Sequence, residues 1–382
     1  MPATIGDIPI PEPSPHFLAL RHALRRACPD GGLAVGCSGG PDSLALVAAA
    51  VAETPQVHAL IIDHGLQQDH AAVAATAAAT ARRLGAEAEI IPVTVPAAAV
   101  ARGGVEAAAR AVRLDALTAR AAALGLDVGL AHTQDDLAEN QLISSLRGQP
   151  NSMRPVSVRG PVVVRRPFLG VRRADTTGAM KELGVDYWDD PMNSDPSFLR
   201  VAIRRQIIPQ LAAVIGGDPV AALARAAAIG ADNAGFVAAA AEKQLAELTD
   251  TDGRLSVTLA CRPEPLRRAV IAAWLTGHAV AVSAKKLAAI DYLLTDWHGQ
   301  GPVAVGKAGA GRRLVVTRKG GKLAVAAGGP SLPAAPAPGG RRQLPDRPPT
   351  PHPPLNTTVT KDQPRDDDHP PSPPGTSQRL RR

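Results

Sequence analysis

The chain has 382 residues, with 42 Lys+Arg against 35 Asp+Glu for a formal net charge of +7, and its 45% hydrophobic content includes only 2% aromatics. The apolar run at 44–52 is far shorter than the ~20 residues that cross a bilayer, and the opening MPATIGDIPIPEPSP has neither a basic nor an apolar leader segment, so neither a membrane protein nor a secreted one is expected. Cys28, Cys37 and Cys261 are odd in number and form no C-x-x-C pair, which argues against a disulfide framework or a zinc ribbon and for a soluble cytoplasmic protein.

After a lead-in at 1–30, residues 33–37 read as a short apolar strand, followed by a Gly-rich turn and a helix over 43–53. A second strand at 57–62 precedes an Ala-rich helix at 71–84, and a third at 89–95 precedes a helix over 105–124. A fourth strand at 128–131 leads into a helix over 135–146. This alternation predicts an α/β fold, with βαβ units building a parallel sheet covered by helices on both faces. In the third helix, Leu114, Leu117, Ala121 and Leu124 recur at helical spacing and give it one apolar face. Beyond a Pro/Arg-rich stretch at 154–166, helices are expected at 172–183 and 197–214, the latter started by Asp195-Pro196. Residues 218–298 look mainly helical, and 302–327 look like short strands of a small closing sheet. The expected division is therefore a catalytic α/β domain at 31–216 and a mainly helical domain with terminal strands at 217–330. Residues 331–382 contain 14 Pro and only five large apolar residues, which predicts a disordered tail carrying +3 of the charge.

Ser38-Gly39-Gly40-Pro41-Asp42-Ser43 falls where the first strand ends and a helix begins. Glycines let backbone N–H groups turn toward a ligand, and the helix N-terminus adds partial positive charge, so the segment reads as an anion cradle. Asp63-His64 ends the second strand and His132 ends the fourth, so all three loops converge on one crevice at the carboxyl edge of the sheet. Asp136 and Glu139 are spaced i,i+3 on one helix face, where they could bind an ammonium group or a metal, or simply stabilise the start of their own helix. A second glycine string, Gly301 to Ala308, nearly matches a Walker-type loop, but Ala308 lacks the hydroxyl and no helix follows, so a β-turn is expected there.

The S-G-G-x-D-S string resembles the PP-loop of the N-type ATP pyrophosphatases. That resemblance implies that Ser38, Gly39, Gly40, Pro41, Asp42 and Ser43 hold the pyrophosphate of ATP, with Asp42 placing a magnesium ion or the reacting phosphate. Several further strings follow in a fixed order. They are D-H-G-L from Asp63, E-x-x-x-R-x-x-R of Glu106, Arg110 and Arg113, H-x-x-D-D-x-x-E from His132 to Glu139, and L-R-G from Leu146. Asp190-Pro191-x-Asn193 and Arg200-x-x-Ile203-Arg204 come next. Over about 33–211 this set resembles the tRNA(Ile)-lysidine synthase family.

The resemblance implies ATP and Mg2+ as cofactors, and the CAU-anticodon tRNA(Ile) and free L-lysine as partners, with a homodimer allowed for. In such a reaction ATP adenylates the C2 oxygen of the wobble cytidine, and the ε-amine of lysine then displaces AMP. The lysidine so formed pairs with A rather than G and switches the tRNA from methionine to isoleucine. By the same resemblance Asp42, Asp136 and His132 would be catalytic, and Asp63 and His64 would join the loop in binding ATP. Asp136 and Glu139 would hold the lysine ammonium and Arg204 its carboxylate, with Arg110 and Arg113 also on the lysine or cytidine. Tyr187, Trp188 and Trp297 are the few aromatics that could stack an extruded base. Gln67, Thr133, Met192, Val201 and Ala202 depart from the family strings. The alternatives are a PP-loop tRNA thiolase, which needs a cysteine pair that the chain lacks beside the loop, or a ligase for small metabolites.

Overall fold

The computed structural model describes residues 3–28, 31–65, 69–148, 153–307 and 313–327. The expected disordered tail, Leu66, Gln67, Ala308 and the Glu106 side chain lie outside the described residues. Two short strands, β1 (Thr4–Ile5) and β2 (Ile8–Pro9), pair with each other ahead of helix α1 (Pro15–Ala27). Then follow β3 (Leu33–Gly36), α2 (Pro41–Glu53), β4 (Val57–Asp63), α3 (His70–Arg83) and β5 (Glu87–Pro92). Next come α4 (Ala97–Gly103), α5 (Val105–Leu124), β6 (Asp127–Gly129), α6 (Gln134–Leu146), β7 (Val156–Arg159) and β8 (Val162–Arg165). These strands form one six-stranded sheet in the order β5-β4-β3-β6-β8-β7, parallel except for the β7–β8 hairpin.

The parallel sheet is the one expected, but the 154–166 stretch is not merely a connection. Val162 and Val164 alternate inward on β8, so this segment extends the sheet next to β6. The lead-in also folds, because Phe17, Leu20 and Leu24 lie on one face of α1 and bury fully. Each such side chain contributes roughly 1.5–3 kcal/mol by leaving water.

Alternation along β3 divides the core. Leu33 and Val35 face a cluster with α1, α2 and α3, whereas Ala34 faces Leu117 and Ala121 of α5 on the other side. Helix α2 is buried nearly all round, from Ser43 to Ala50, and its Ala-rich sequence leaves room for sheet and helices to close on it. An alanine core of this kind explains how the chain folds with so few aromatics.

Further along come α7 (Arg173–Glu182), α8 (Leu199–Ala202), a π-helical turn at Ile203–Ile207 and α9 (Ile208–Ile215). The expected single helix at 197–214 therefore starts later and is interrupted. Asp195 accepts a hydrogen bond from the Ser197 N–H at 2.8 Å and closes a turn rather than capping the helix. The long α10 (Pro219–Leu248) is the one described helix long and apolar enough to cross a membrane, and it packs here against α6 and against α11 (Glu264–Gly277). With α12 (Ala284–Thr295) and the antiparallel strands β9 (Leu255–Ser256), β10 (Val303–Lys307), β11 (Arg313–Lys319) and β12 (Lys322–Ala327) it encloses a second core around Trp274, Leu275 and Leu323. All these elements belong to one compact unit.

Candidate active site

The loop between β3 and α2 is built by its own hydroxyls. The Ser38 N–H donates to Ser43 Oγ at 3.1 Å, and Ser43 Oγ donates to the Gly40 carbonyl at 3.0 Å. Pro41 starts α2, so the unpaired N–H groups of the first turn face the cleft. Gly39 lies at φ +82°, and a Cβ placed there would sit 3.0 Å from the Ala77 side chain while Trp188 donates its N–H to the Gly39 carbonyl. A side chain therefore strains the backbone and presses on α3 together. Gly39→Ala is expected to raise KM for ATP several-fold, which steady-state AMP release at varied ATP would measure; an unchanged KM would remove this loop from the site.

A cleft of about 680 Å³ opens above the carboxyl edge of the sheet. Ser38, Gly40, Pro41, Asp42 and Ser43 line it, as do Asp63, His64, Arg110, Arg113, His132, Asp136 and Arg204. Gly39 supports the loop from behind. Glu139 is fully buried and reaches the cleft only through its arginine partners. At the end of β4, Asp63 accepts a hydrogen bond from the Gly65 N–H at 3.1 Å, and its carboxylate also meets His70 Nδ1 at 2.7 Å.

Arg173 is the hub of the acidic side. Its guanidinium meets Asp136 at 2.8 Å, Glu139 at 3.1 Å and Asp42 at 3.5 Å, and Thr176 one turn later donates its hydroxyl to Asp42. Arg204 forks onto Glu139 through Nε at 2.7 Å and Nη2 at 3.2 Å, and Arg200 lies 3.6 Å from Asp136. Thr133 caps α6 reciprocally with Asp136, so this departure from the family string serves the helix start. Burial opposes the charge on Asp136, but Arg173, His132 and the Thr133 hydrogen bonds outweigh it and hold the carboxyl below its ordinary range. On Asp42 burial prevails over Thr176 and Arg173, and the carboxyl is pushed up.

The opposite wall is cationic. Burial, with repulsion from Arg110, pushes Arg113 and Arg166 below the usual guanidinium range. No carboxylate pairs with Arg113 among the described residues, and the buried Nε of Arg166 has no hydrogen-bond partner. Arg113 and Arg166, crowded by Arg110 on the cleft wall, suit a phosphate-rich ligand. His132 lies between the walls with its Nδ1 buried and unpaired, and burial pushes its imidazole down to about 4 although Asp136 pulls the other way. His132 is thus neutral near pH 7 and fitted to hydrogen-bond a ligand rather than to carry charge.

This neutrality has a cost in acid. Below pH 6.5 the unfolded chain protonates His132 while the fold does not, so stability falls until about pH 4, by about 3 kcal/mol. His132→Asn is expected to flatten the pH dependence of the urea midpoint between pH 6.5 and 4; a slope equal to that of the parent would contradict the assignment.

Arg173, Thr176 and Arg166 were not singled out from the sequence. A signal for Arg173 exists all the same: Arg172 and Arg173 open a helix, where the dipole disfavours cations, so each needs a carboxylate. Arg172 finds Asp135 at 3.2 Å and Asp218 at 2.5 Å. Among the described residues no three His, Cys, Asp or Glu side chains cluster as a metal cage. Asp42 is the carboxylate on the phosphate loop, a hard oxygen donor of the kind that holds Mg2+ beside nucleotide phosphates. Cys37 is the only cysteine lining the cleft, and burial pushes its thiol up, away from the thiolate that sulfur transfer requires.

The family model of the PP-loop domain matches residues 18–211. The chain is 48% identical over 326 residues to the tRNA(Ile)-lysidine synthase of Corynebacterium glutamicum, covering 85% of this chain and 99% of that one. With the tRNA(Ile)-lysidine synthase of Rhodococcus opacus it shares 42% over 325 residues, 83% and 97% of the two chains. The chain belongs to the tRNA(Ile)-lysidine synthase family. Membership in the lysidine synthase family makes it an ATP-using ligase that modifies tRNA. Among solved structures it is similar to the U34-tRNA thiolase NcsA from Methanococcus maripaludis, at 16% identity and a TM-score of 0.47, covering 56% of this chain and 79% of that one.

Proposed function

We propose that the enzyme joins L-lysine to C2 of the wobble cytidine of the CAU-anticodon tRNA(Ile) through an adenylated cytidine. The C2 oxygen attacks the α-phosphorus of ATP and pyrophosphate leaves. The lysine ε-amine then bonds to C2, the C2–O bond breaks to release AMP, and one proton is given up. The observation that carries this reading is the single cleft that joins a phosphate loop, a cationic wall and a pair of buried carboxylates bridged by Arg173.

The phosphate loop and the N-terminus of α2 would take the β and γ phosphates, with Arg113 and Arg166 facing the polyanion. When bound, magnesium would offset the charge that builds on the leaving pyrophosphate, and Asp42 would hold it. Asp136 offers the lysine ammonium a carboxylate at the cleft wall. Two nitrogens of Arg204 are already engaged by Glu139, so Arg204 Nη1 and Arg200 are the groups left for the lysine carboxylate. His132, held neutral, offers the incoming amine a hydrogen-bond acceptor rather than a competing charge.

In the same reading, residues 31–216 are the catalytic part and 217–330 bind tRNA, in a cytoplasmic enzyme. Exposed Val214, Ile215, Ile229 and Phe236 on α9 and α10 support a homodimer. The decisive assay supplies ATP, radiolabelled lysine and a tRNA(Ile) transcript. ATP-dependent lysine incorporation with AMP and pyrophosphate in equal amounts is expected; sulfur incorporation, or AMP formation without lysine, would overturn the proposal.

A further inference from the structure

The charge of the chain is unevenly placed. Residues 284–327, which are α12 and three strands of the small sheet, hold eight Lys/Arg against two Asp/Glu. One of those acids, Asp291, is buried and paired with Arg267 at 3.1 Å, while Lys322 is paired with Asp250 at 2.6 Å, which leaves seven cations against Asp296. Lys285, Lys307, Arg313 and Lys319 are exposed. A surface of this sign fits a polyanion, and the substrate class of the enzyme supplies one.

The same region presents exposed aromatic surface in a chain that has only nine Phe, Trp and Tyr residues. Tyr292 is 54% exposed and Trp297 39% exposed, and neither lines the reaction cleft. The loop that carries Trp297 is braced by its own hydrogen bonds. His298 donates its N–H to Gln300 Oε1 at 2.8 Å, Gln300 Nε2 donates to the Asp296 carbonyl at 2.8 Å, and Gly299 takes φ +86°. Arg318 lies 5.2 Å from the centre of the Trp297 ring, and its Nη1 donates to the Leu293 and Leu294 carbonyls at the end of α12. The indole is therefore backed by a fixed guanidinium, and His298 stands edge-on to Tyr292 at 6.5 Å.

A braced, cation-backed indole on a basic surface is a stacking platform for a nucleobase. We propose that the loop at 296–300 and the small sheet form a second tRNA contact, where an unpaired nucleotide stacks on Trp297 while exposed Lys307, Arg313 and Lys319 hold the adjoining phosphates. The inference rests on tRNA being the substrate, and goes beyond it by assigning the contact to single-stranded stacking outside the cleft.

Trp297→Ala and Trp297→Phe test it in the full chain with the tRNA(Ile) transcript. Trp297→Ala is expected to raise the Kd for tRNA and the KM for tRNA about tenfold, with kcat and the KM values for ATP and lysine unchanged. Trp297→Phe, which keeps a ring, should stay within about threefold of the parent. Binding by Trp297→Ala as tight as the parent's would overturn the proposal. So would equal weakening in both variants together with a lowered unfolding midpoint, because the indole would then only support the fold. If the parent binds the transcript without incorporating lysine, the reaction reading fails and the contact can still be measured; if it incorporates lysine and Trp297→Ala is silent, the contact fails alone.

Discussion

Asp42→Asn is expected to slow AMP and pyrophosphate formation by about 10²–10³-fold, with tRNA binding nearly unchanged. Asparagine keeps the size of the side chain and can still accept the Thr176 hydroxyl, so the substitution removes charge alone. That charge lies in the first turn of α2, on the loop that cradles the phosphates, and it faces Arg173 at 3.5 Å. Arg173 keeps Asp136 and Glu139 as partners in the variant, so the fold should survive. Because burial pushes the Asp42 carboxyl up, the ionised form appears at higher pH than for an ordinary aspartate. Before Mg2+ and ATP bind, the acid limb of the parent's rate profile should therefore lie higher than an ordinary aspartate would place it. Single-turnover AMP release beside filter binding of tRNA separates the two effects. Chemistry within threefold of the parent would exclude Asp42 from the reaction.

Much of this site is legible in the sequence. Glycine and serine spacing marked the loop at 38–43, and alternating strands and helices placed Asp63 and His132 at the same sheet edge, because parallel strands point their carboxyl ends together. What escaped detection depends on long-range pairing. Val162 and Val164 become a strand only because β6 offers them a partner, and a Pro/Arg-rich flank hides so short a pattern. The fate of Asp136 and Glu139 was hidden for a related reason. Their i,i+3 spacing shows that they share a helix face, but not that Arg173, Arg200 and Arg204 arrive there from α7, α8 and the π-helical turn. The arginine expected to wait for the substrate carboxylate is instead half spent on Glu139. On the proposed function, lysine would enter a network that is already neutralised.

Arg173→Met tests how much the fold depends on that network, and is expected to cost roughly 3–5 kcal/mol. Glu139 is fully buried and Asp136 nearly so, and removing their common cation strands negative charge in a poorly solvated place. Arg204 still forks onto Glu139 and Arg200 remains near Asp136, which places the loss toward the lower end. The pH dependence supplies an independent check. In the parent, Asp136 is held below its ordinary value, so its contribution is present above about pH 4 and fades as acid protonates it. Without Arg173 that carboxyl shifts up, and protonation relieves the strain rather than removing an ion pair. The gap between variant and parent should therefore be widest near neutrality and narrow toward pH 4. A second substitution, Glu139→Gln, should recover part of the loss on the Arg173→Met background while destabilising the parent, since the two side chains share one interaction. Urea midpoints for the four proteins at two pH values would show this coupling; additive losses, or a gap that widens in acid, would mean that Arg173 fills space and does not balance charge.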